Sequence, residues 1–410
     1  MALALAGGVI IDGTGGPPLR GRTLVIDGTR IAEVTAGPVS GPGVRVVDLA
    51  GKTVLPGLVD SHIHFAHWGM NLIGHQDRSL MLLAAETVQA LRTTLAAGCT
   101  TARDLGGLEA GFRDAVARGL IPGPRLACSL VIVSPTNGIV DPTTAQGMAS
   151  PLVPGLPAPE CNGPYGARAK VREVLRAGAD VLKMATTGGV SSPKVDPRRP
   201  LFTREEIEAI VDEAHMAGVQ VVCHALGGPG LLVAVRAGVD TIEHGGWLDE
   251  EAVAEMARRG TWYVPTFSVY RWHGTLGPPF KQTRARAMRE HHLRSFDLAR
   301  RAGVRIAMGT DAGGYGYGDT GLELELLVEA GLTPAQAIET ATRRAAECMR
   351  MDRLVGTLEP GKEADLLVLD ADPLQDVGIL RKPEHLALLM QGGQPVSGTL
   401  PGARPGPGGW

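Results

Sequence analysis

Short apolar runs broken by Gly and Pro turns open the chain, at residues 8–12, 23–27, 30–35 and 44–48. Their alternating character predicts a small antiparallel sheet. Similar runs return near the other end, at 364–370 and 385–391. Neither set is long enough to hold a core alone, so the two ends are expected to build one small composite β-sandwich. Between them the pattern changes to a βα rhythm. Helical periodicity, as in 203–217 and 249–259, ends on a glycine at Gly98, Gly119, Gly178, Gly218, Gly238, Gly260, Gly303 and Gly331. A left-handed C-cap is sterically cheapest there. Apolar strand candidates follow most of these glycines, at 100–102, 125–133, 181–184, 219–223, 241–242, 263–267 and 304–308, with an opening strand at 54–59. Eight strands alternating with eight helices predict an α/β fold, a (β/α)8 TIM-type barrel. The expected division is 1–57 plus 355–400 for the sandwich, 58–354 for the barrel and 401–410 for a flexible Gly/Pro tail. A doubly wound sheet would offer a Gly-rich phosphate loop near its first turn, and none is found. Insertions at 134–165 and 267–281 are placed over the C-terminal mouth of the barrel, where loops shape access.

Polar residues at the predicted strand ends change the picture from fold to chemistry, because barrel active sites lie there. The first strand leads into Asp60-Ser61-His62-Ile63-His64. Side chains alternate along a strand, so the two imidazoles share a side, roughly 6–7 Å apart along the backbone. The fourth strand carries Lys183 in apolar surroundings, the fifth ends in Cys223-His224, the sixth in Glu243-His244 and the eighth in Gly309-Thr310-Asp311. Singly, His224 reads as a hydrogen-bonded core histidine, Asp311 as a helix cap and Lys183 as a side chain reaching solvent. Six such residues at one end of one barrel predict a metal centre. Imidazole and oxygen donors suit Zn²⁺, with Mn²⁺, Fe²⁺ and Co²⁺ as alternatives. Asp104, at the end of the second strand, is either a brace for the metal ligands or a turn residue.

Composition narrows the class. The 410 residues are 44% apolar and 20% charged with a net charge of −3, which predicts no nucleic-acid surface, and aromatics at 4% argue against base stacking. There is no apolar run long enough for a transmembrane helix, and the apolar opening lacks the basic region of a signal peptide. Cys99, Cys128, Cys161, Cys223 and Cys348 are widely spaced without a C-x-x-C pair. That fits free thiols in a reducing cytoplasm. Homo-oligomerisation stays open.

The stretches 55–64, Thr101-Ala102-Arg103-Asp104-Leu105-Gly106-Gly107, 183–190, 242–245, 309–313 and 356–370 together resemble the amidohydrolase superfamily. The resemblance runs from Gly7 to about Val396 and is nearest to its prolidase-like and imidazolonepropionase-like branch. It implies two divalent metal ions, with His62, His64 and Asp311 on one and His224 and His244 on the other. Lys183, carboxylated by CO₂, would bridge them. It also implies hydrolysis of an amide or peptide bond by a metal-bound hydroxide, with Asp311 as acid and base. The substrate would be a dipeptide, an N-acyl amino acid or the C-terminal residue of a peptide. The alternatives are trimming of a modified peptide in natural-product biosynthesis, imidazolonepropionase-like opening of a cyclic amide, and a non-enzymatic barrel scaffold. His224 is followed by no acidic residue, unlike in related deaminases. Leu226 stands where several relatives have a second histidine, and Ser134-Pro135-Thr136-Asn137-Gly138 replaces a Gly-Gly-His run. Tyr263, Tyr270, Arg271, Tyr315 and Tyr317 are the candidate substrate contacts beside Leu226.

Overall fold

The computed structural model describes residues 2–70, 72–75, 77–150, 153–193 and 195–398; the expected tail at 401–410 lies outside them. The chain divides into two compact units. One comprises the residues up to Asp60, Thr93–Thr101 and the chain from Gly318 onward; the other comprises Ser61–Arg92 and Ala102–Tyr317.

In the first unit, one four-stranded sheet has the order Arg30–Ala36, Arg22–Asp27, Ala2–Ala6, Val44–Asp48. A five-stranded sheet runs Gln394–Gly398, Leu386–Gln391, Leu366–Leu369, Thr53–Pro56, Val9–Ile10. The period-two pattern decides what is buried: Leu24 and Ile26 from one sheet pack in a single cluster with Val54, Leu366, Val368 and Met390 from the other. Both chain ends thus supply one β-sandwich. The apolar run at 54–59 is not one strand, however. Thr53–Pro56 pairs antiparallel with Leu366–Leu369, Gly57 breaks the run, and a new strand spans Leu58–His64. A Cβ on Gly57 would sit 2.2 Å from Thr100 Oγ1, so the break requires glycine.

The second unit carries the parallel strands. Leu182–Ala185, Val221–Gly227, Thr241–Trp247 and Trp262–Val264 pair in sequence order. Backbone hydrogen bonds continue round the ring on both sides. Tyr263 N donates to Arg305 O at 2.8 Å and Ser61 N to Met308 O at 3.1 Å, so segment 304–308 joins the seventh strand to the first. On the other flank Leu105 N donates to Ile63 O, Ser129 N to Asp104 O and Asp180 N to Cys128 O, at 2.8–2.9 Å. Eight parallel segments, the (β/α)8 barrel, are therefore linked edge to edge. All eight punctuating glycines have positive φ, and Gly238 and Gly260 occupy the left-handed C-cap itself, at φ 100° and 72°.

Two expectations change. The third strand stops at Cys128 and resumes only at Ile132–Val133, because Leu130 adopts φ 66°. The insertion after the seventh strand is a pair of helices, Phe267–Thr275 and Pro279–Arg301, rather than an open loop. The insertion after the third strand is irregular but pinned, with Ser134 N bonded to Pro159 O and Cys161 N to Ser134 O, both 3.1 Å. Among the described residues no helix is long and apolar enough to cross a membrane.

Candidate metal centre

His62 and His64 project from the same side of the first strand, and Asp311 is brought to them by its own backbone, whose N–H donates to His62 O at 2.7 Å. The ligand atoms of these three residues lie within 4.8 Å of one another. His62 Nε2 and His64 Nε2 are 3.4 Å apart, and Asp311 Oδ1 stands 3.4 Å from the first and 3.2 Å from the second. The outer nitrogens explain the orientation. His62 Nδ1 donates to Glu243 Oε2 at 2.6 Å and His64 Nδ1 to Gly106 O at 2.9 Å; both acceptors can only accept. A ring that is neutral in this arrangement turns an Nε2 lone pair inward, toward the other Nε2 and a carboxylate oxygen. Such a donor set is repulsive unless a cation or proton sits in it, which is how a metal site is built. Burial would push the Asp311 carboxyl up, but the His62 charge and the hydrogen bonds of His62 and His64 outweigh it and hold it well below the usual range.

His224 and His244 complete the arrangement from the fifth and sixth strands, with ring centroids 4.5 Å apart and His244 5.1 Å from His62. His224 Nε2 donates to Gly188 O at 2.9 Å, which leaves the Nδ1 lone pair to face a cation. Thr266 gives its own proton to Pro265 O and so accepts from His244 Nδ1 at 2.7 Å, while the same nitrogen stands 3.9 Å from Asp311 Oδ2. Burial, reinforced by the Lys183 charge, pulls His224 down to about 4; burial and the His224 charge take His244 well below its usual value. Both are neutral, as metal ligands must be.

Lys183 provides the sharpest test of fit. Its side chain is 1% exposed and its Nζ has no hydrogen-bond partner among the described residues. Burial lowers it to about 8 against the opposing pull of Glu243 and Asp311. A buried amine with no acceptor is costly, and a carbamate in its place would supply two oxygens where cations are expected. Backbone strain gathers at the same place: His244, Thr266 and Asp311 have φ of 73°, 55° and 53°. Non-glycine residues hold such angles only where their surroundings over-determine them.

All six candidate ligands line one cavity of ≈ 510 Å³. Of the proposed substrate contacts, Tyr270 and Tyr315 line it as well. The other four do not. Tyr263 turns behind the sixth strand, where its hydroxyl donates to His244 O at 3.1 Å. Tyr317 donates to His64 O at 2.6 Å and braces the first strand. Arg271 is exposed on its helix, away from the cavity. Leu226 packs with Val190, Ala285 and Met288 in a small core. Among the described residues Asp104 makes no hydrogen bond to a candidate ligand side chain, yet its carboxylate accepts from Phe65 N at 2.7 Å and Gly106 N at 2.9 Å. It thereby fixes both the strand end after His64 and the carbonyl that holds the His64 ring. The sequence assigns no role to Glu243, His273 or Lys281, and to His67 only a possible place at the mouth. Glu243 orients His62, and the other three line the cavity.

A ring of parallel strands that aims imidazoles, a lysine and a carboxylate into one cavity at the strand ends defines a barrel hydrolase of the metal-dependent kind. The chain matches the amidohydrolase family over residues 53–396, and it belongs to that family. It is 31% identical to ochratoxinase of Aspergillus niger, over 97% of this chain and 87% of the relative. Among solved structures, a prolidase complexed with N-methylphosphonate-L-proline superposes with a TM-score of 0.91 at 33% identity, covering 97% of this chain and 100% of that one. A Xaa-Pro dipeptidase with bound methionine gives 0.88 at 32%, with 97% and 100% covered. The protein is accordingly a hydrolase acting on carbon–nitrogen bonds, in a family that uses divalent metals.

Proposed function

We propose that the protein hydrolyses the amide bond of a dipeptide, an N-acyl amino acid or the C-terminal residue of a peptide. The observation that carries this reading is the convergence of four imidazoles, Lys183 without a hydrogen-bond partner among the described residues, and the Asp311 carboxylate on one cavity. His62, His64 and Asp311 would hold one cation and His224 and His244 a second, with Lys183 carboxylated between them. Zinc is the ion this donor set favours. When bound, such ions lower the pKa of water and polarise a carbonyl. Asp311 accepts the proton of the attacking water and returns it to the departing nitrogen, a shuttle for which its carboxylate must be ionised at rest. Glu243 and Gly106 hold the His62 and His64 rings in register, and Tyr270, 5.9 Å from His244 ring to ring, closes the wall above them.

Purified protein loaded with zinc should cleave members of a panel of dipeptides, N-acyl amino acids and simple amides. A chelator should abolish the activity and a divalent metal restore it. If the metal-loaded enzyme cleaves nothing in the panel, the proposal fails.

A further inference from the structure

A second, smaller recess of ≈ 50 Å³ adjoins the metal cavity on the flank of the third strand. Met70, Ile132, Val140 and Pro142 line both spaces, so one layer of side chains divides them. Beyond that layer Leu130, Val153 and Leu156 form an apolar wall, and Ser150 carries the one polar side chain among the described residues that line it. The recess lies where the third strand is interrupted. Leu130, fully buried, holds φ 66°, a costly angle for a leucine that persists only where the surroundings over-determine it. The dividing layer sits next to the metal ligands. A Cβ on Gly106, whose carbonyl holds the His64 ring, would meet Ile132 Cγ1 at 2.9 Å and Met70 Sδ at 3.5 Å. Met70 is the adaptable member of that layer, an unbranched thioether that changes shape at little cost.

Size and place decide what would enter. A cavity of roughly 150 Å³ holds benzene, so a third of that holds roughly two or three carbons. With one hydroxyl in its walls, the recess favours an alkyl end over a charged one. Asp311, which returns the proton to the departing nitrogen, stands at the end of the eighth strand. The hydrogen bonds that link strands eight, one, two and three put the third strand three places away in a ring of eight, nearly opposite. An arm that reaches the recess therefore extends from the carbonyl half of the amide, away from the departing amine. Resting on the amide-hydrolysis reading above, we infer that this recess is a subsite for the alkyl end of the substrate's acyl group, with Met70 as the side chain that admits it. The substrate is then an amide of an alkanoic acid long enough to pass the dividing layer.

The test measures kcat/KM of the zinc enzyme for N-alkanoyl-L-leucines from acetyl to decanoyl. Each methylene that enters the recess should raise kcat/KM about fourfold, so the two or three it holds give a gain of about 15- to 60-fold, with none beyond that length. Leu156 lines the recess but not the metal cavity. Leu156→Phe should therefore move the limit to shorter chains, and Leu156→Ala should move it to chains roughly two or three carbons longer, with acetyl turnover and metal content unchanged in both. If Leu156→Phe loses acetyl turnover as well, Val153→Leu, a smaller filling, takes its place. A flat profile in the wild type, or a limit that the filling or the enlarging variant leaves in place, overturns the inference and leaves amide hydrolysis intact. If no member of the series is hydrolysed, calorimetric titration of the zinc enzyme with the free alkanoates decides. A Kd that falls about fourfold per methylene up to a limit, with that limit moved by Leu156→Ala, upholds the subsite. A Kd that ignores chain length or the variant, or no binding by the wild type, overturns it.

Discussion

Glu243 controls His62 from behind, and its own position is held in turn: Thr241 Oγ1 donates to its other oxygen at 2.5 Å, and Arg103 lies 3.6 Å away. Burial would raise this carboxyl, but the His62 charge and hydrogen bond outweigh it and bring it down to about 2. Glu243→Gln keeps the shape, but an amide holds the imidazole less firmly. We expect metal affinity to fall about 10- to 100-fold with the fold retained, as measured by competition with a chromophoric chelator; unchanged affinity would remove Glu243 from the site. Lys183 makes a pH prediction. Only the neutral amine reacts with CO₂, and burial lowers its pKa to about 8, so the neutral fraction rises from about a tenth at pH 7 to about nine-tenths at pH 9. With dissolved CO₂ held at one concentration across the series, recovery of activity by metal-free enzyme given zinc should quicken by about that ratio and then level off. A rate still climbing past pH 10 would mean an ordinary lysine. The His-x-His pair was legible because period two needs only neighbours. Glu243 was not, because its partner is 181 residues away and nothing local marks the contact.

At the scale of elements, glycines did two different jobs, and the sequence showed only one of them. Helix-ending glycines announce themselves by position. Gly309 does not: a Cβ there would stand 2.6 Å from Val264 Cγ1 and 2.7 Å from His62 Cβ, so its role is to let segment 304–308 approach the first strand. Gly309→Ala must push these elements apart just where His62 and Asp311 meet. Activity should fall at least about tenfold, with weaker metal binding, while far-ultraviolet circular dichroism stays native. A variant as active as wild type would show that the strands can yield. Side-chain direction was the least legible property. Leu226 follows His224 by two, so simple alternation puts it on the cavity side. The pairing register of the fifth and sixth strands shifts between Ala225 and Gly227, and Leu226 turns into the core instead. Strand-end position likewise could not tell Tyr315, at the cavity, from Tyr317, which braces the His64 carbonyl. The helical hairpin that carries Lys281 was hidden by the Gly and Pro residues at 274–279, which read as loop.

For the molecule as a whole, the cost of the site falls on the metal-free state. The barrel buries an amine without a hydrogen-bond partner among the described residues and brings two imidazole nitrogens to 3.4 Å of each other in its interior. An orphaned buried donor costs about 1–3 kcal/mol, and a hydrophobic group of similar size avoids that cost. Lys183→Met should therefore make the metal-free protein more stable by about that amount, as read from the midpoint and slope of urea unfolding. With metal the order should reverse. A ligand that binds only the folded chain adds about 2.7 kcal/mol at a hundred times its Kd, a gain expected to be open to wild type and largely closed to the Lys183→Met variant. Destabilisation by Lys183→Met in both states would show that Lys183 has a partner in the metal-free fold, and carboxylation would lose its physical motive. Stabilisation without metal and destabilisation with it would mean that the barrel is assembled around ions, with Lys183 retained for chemistry at the expense of the empty fold.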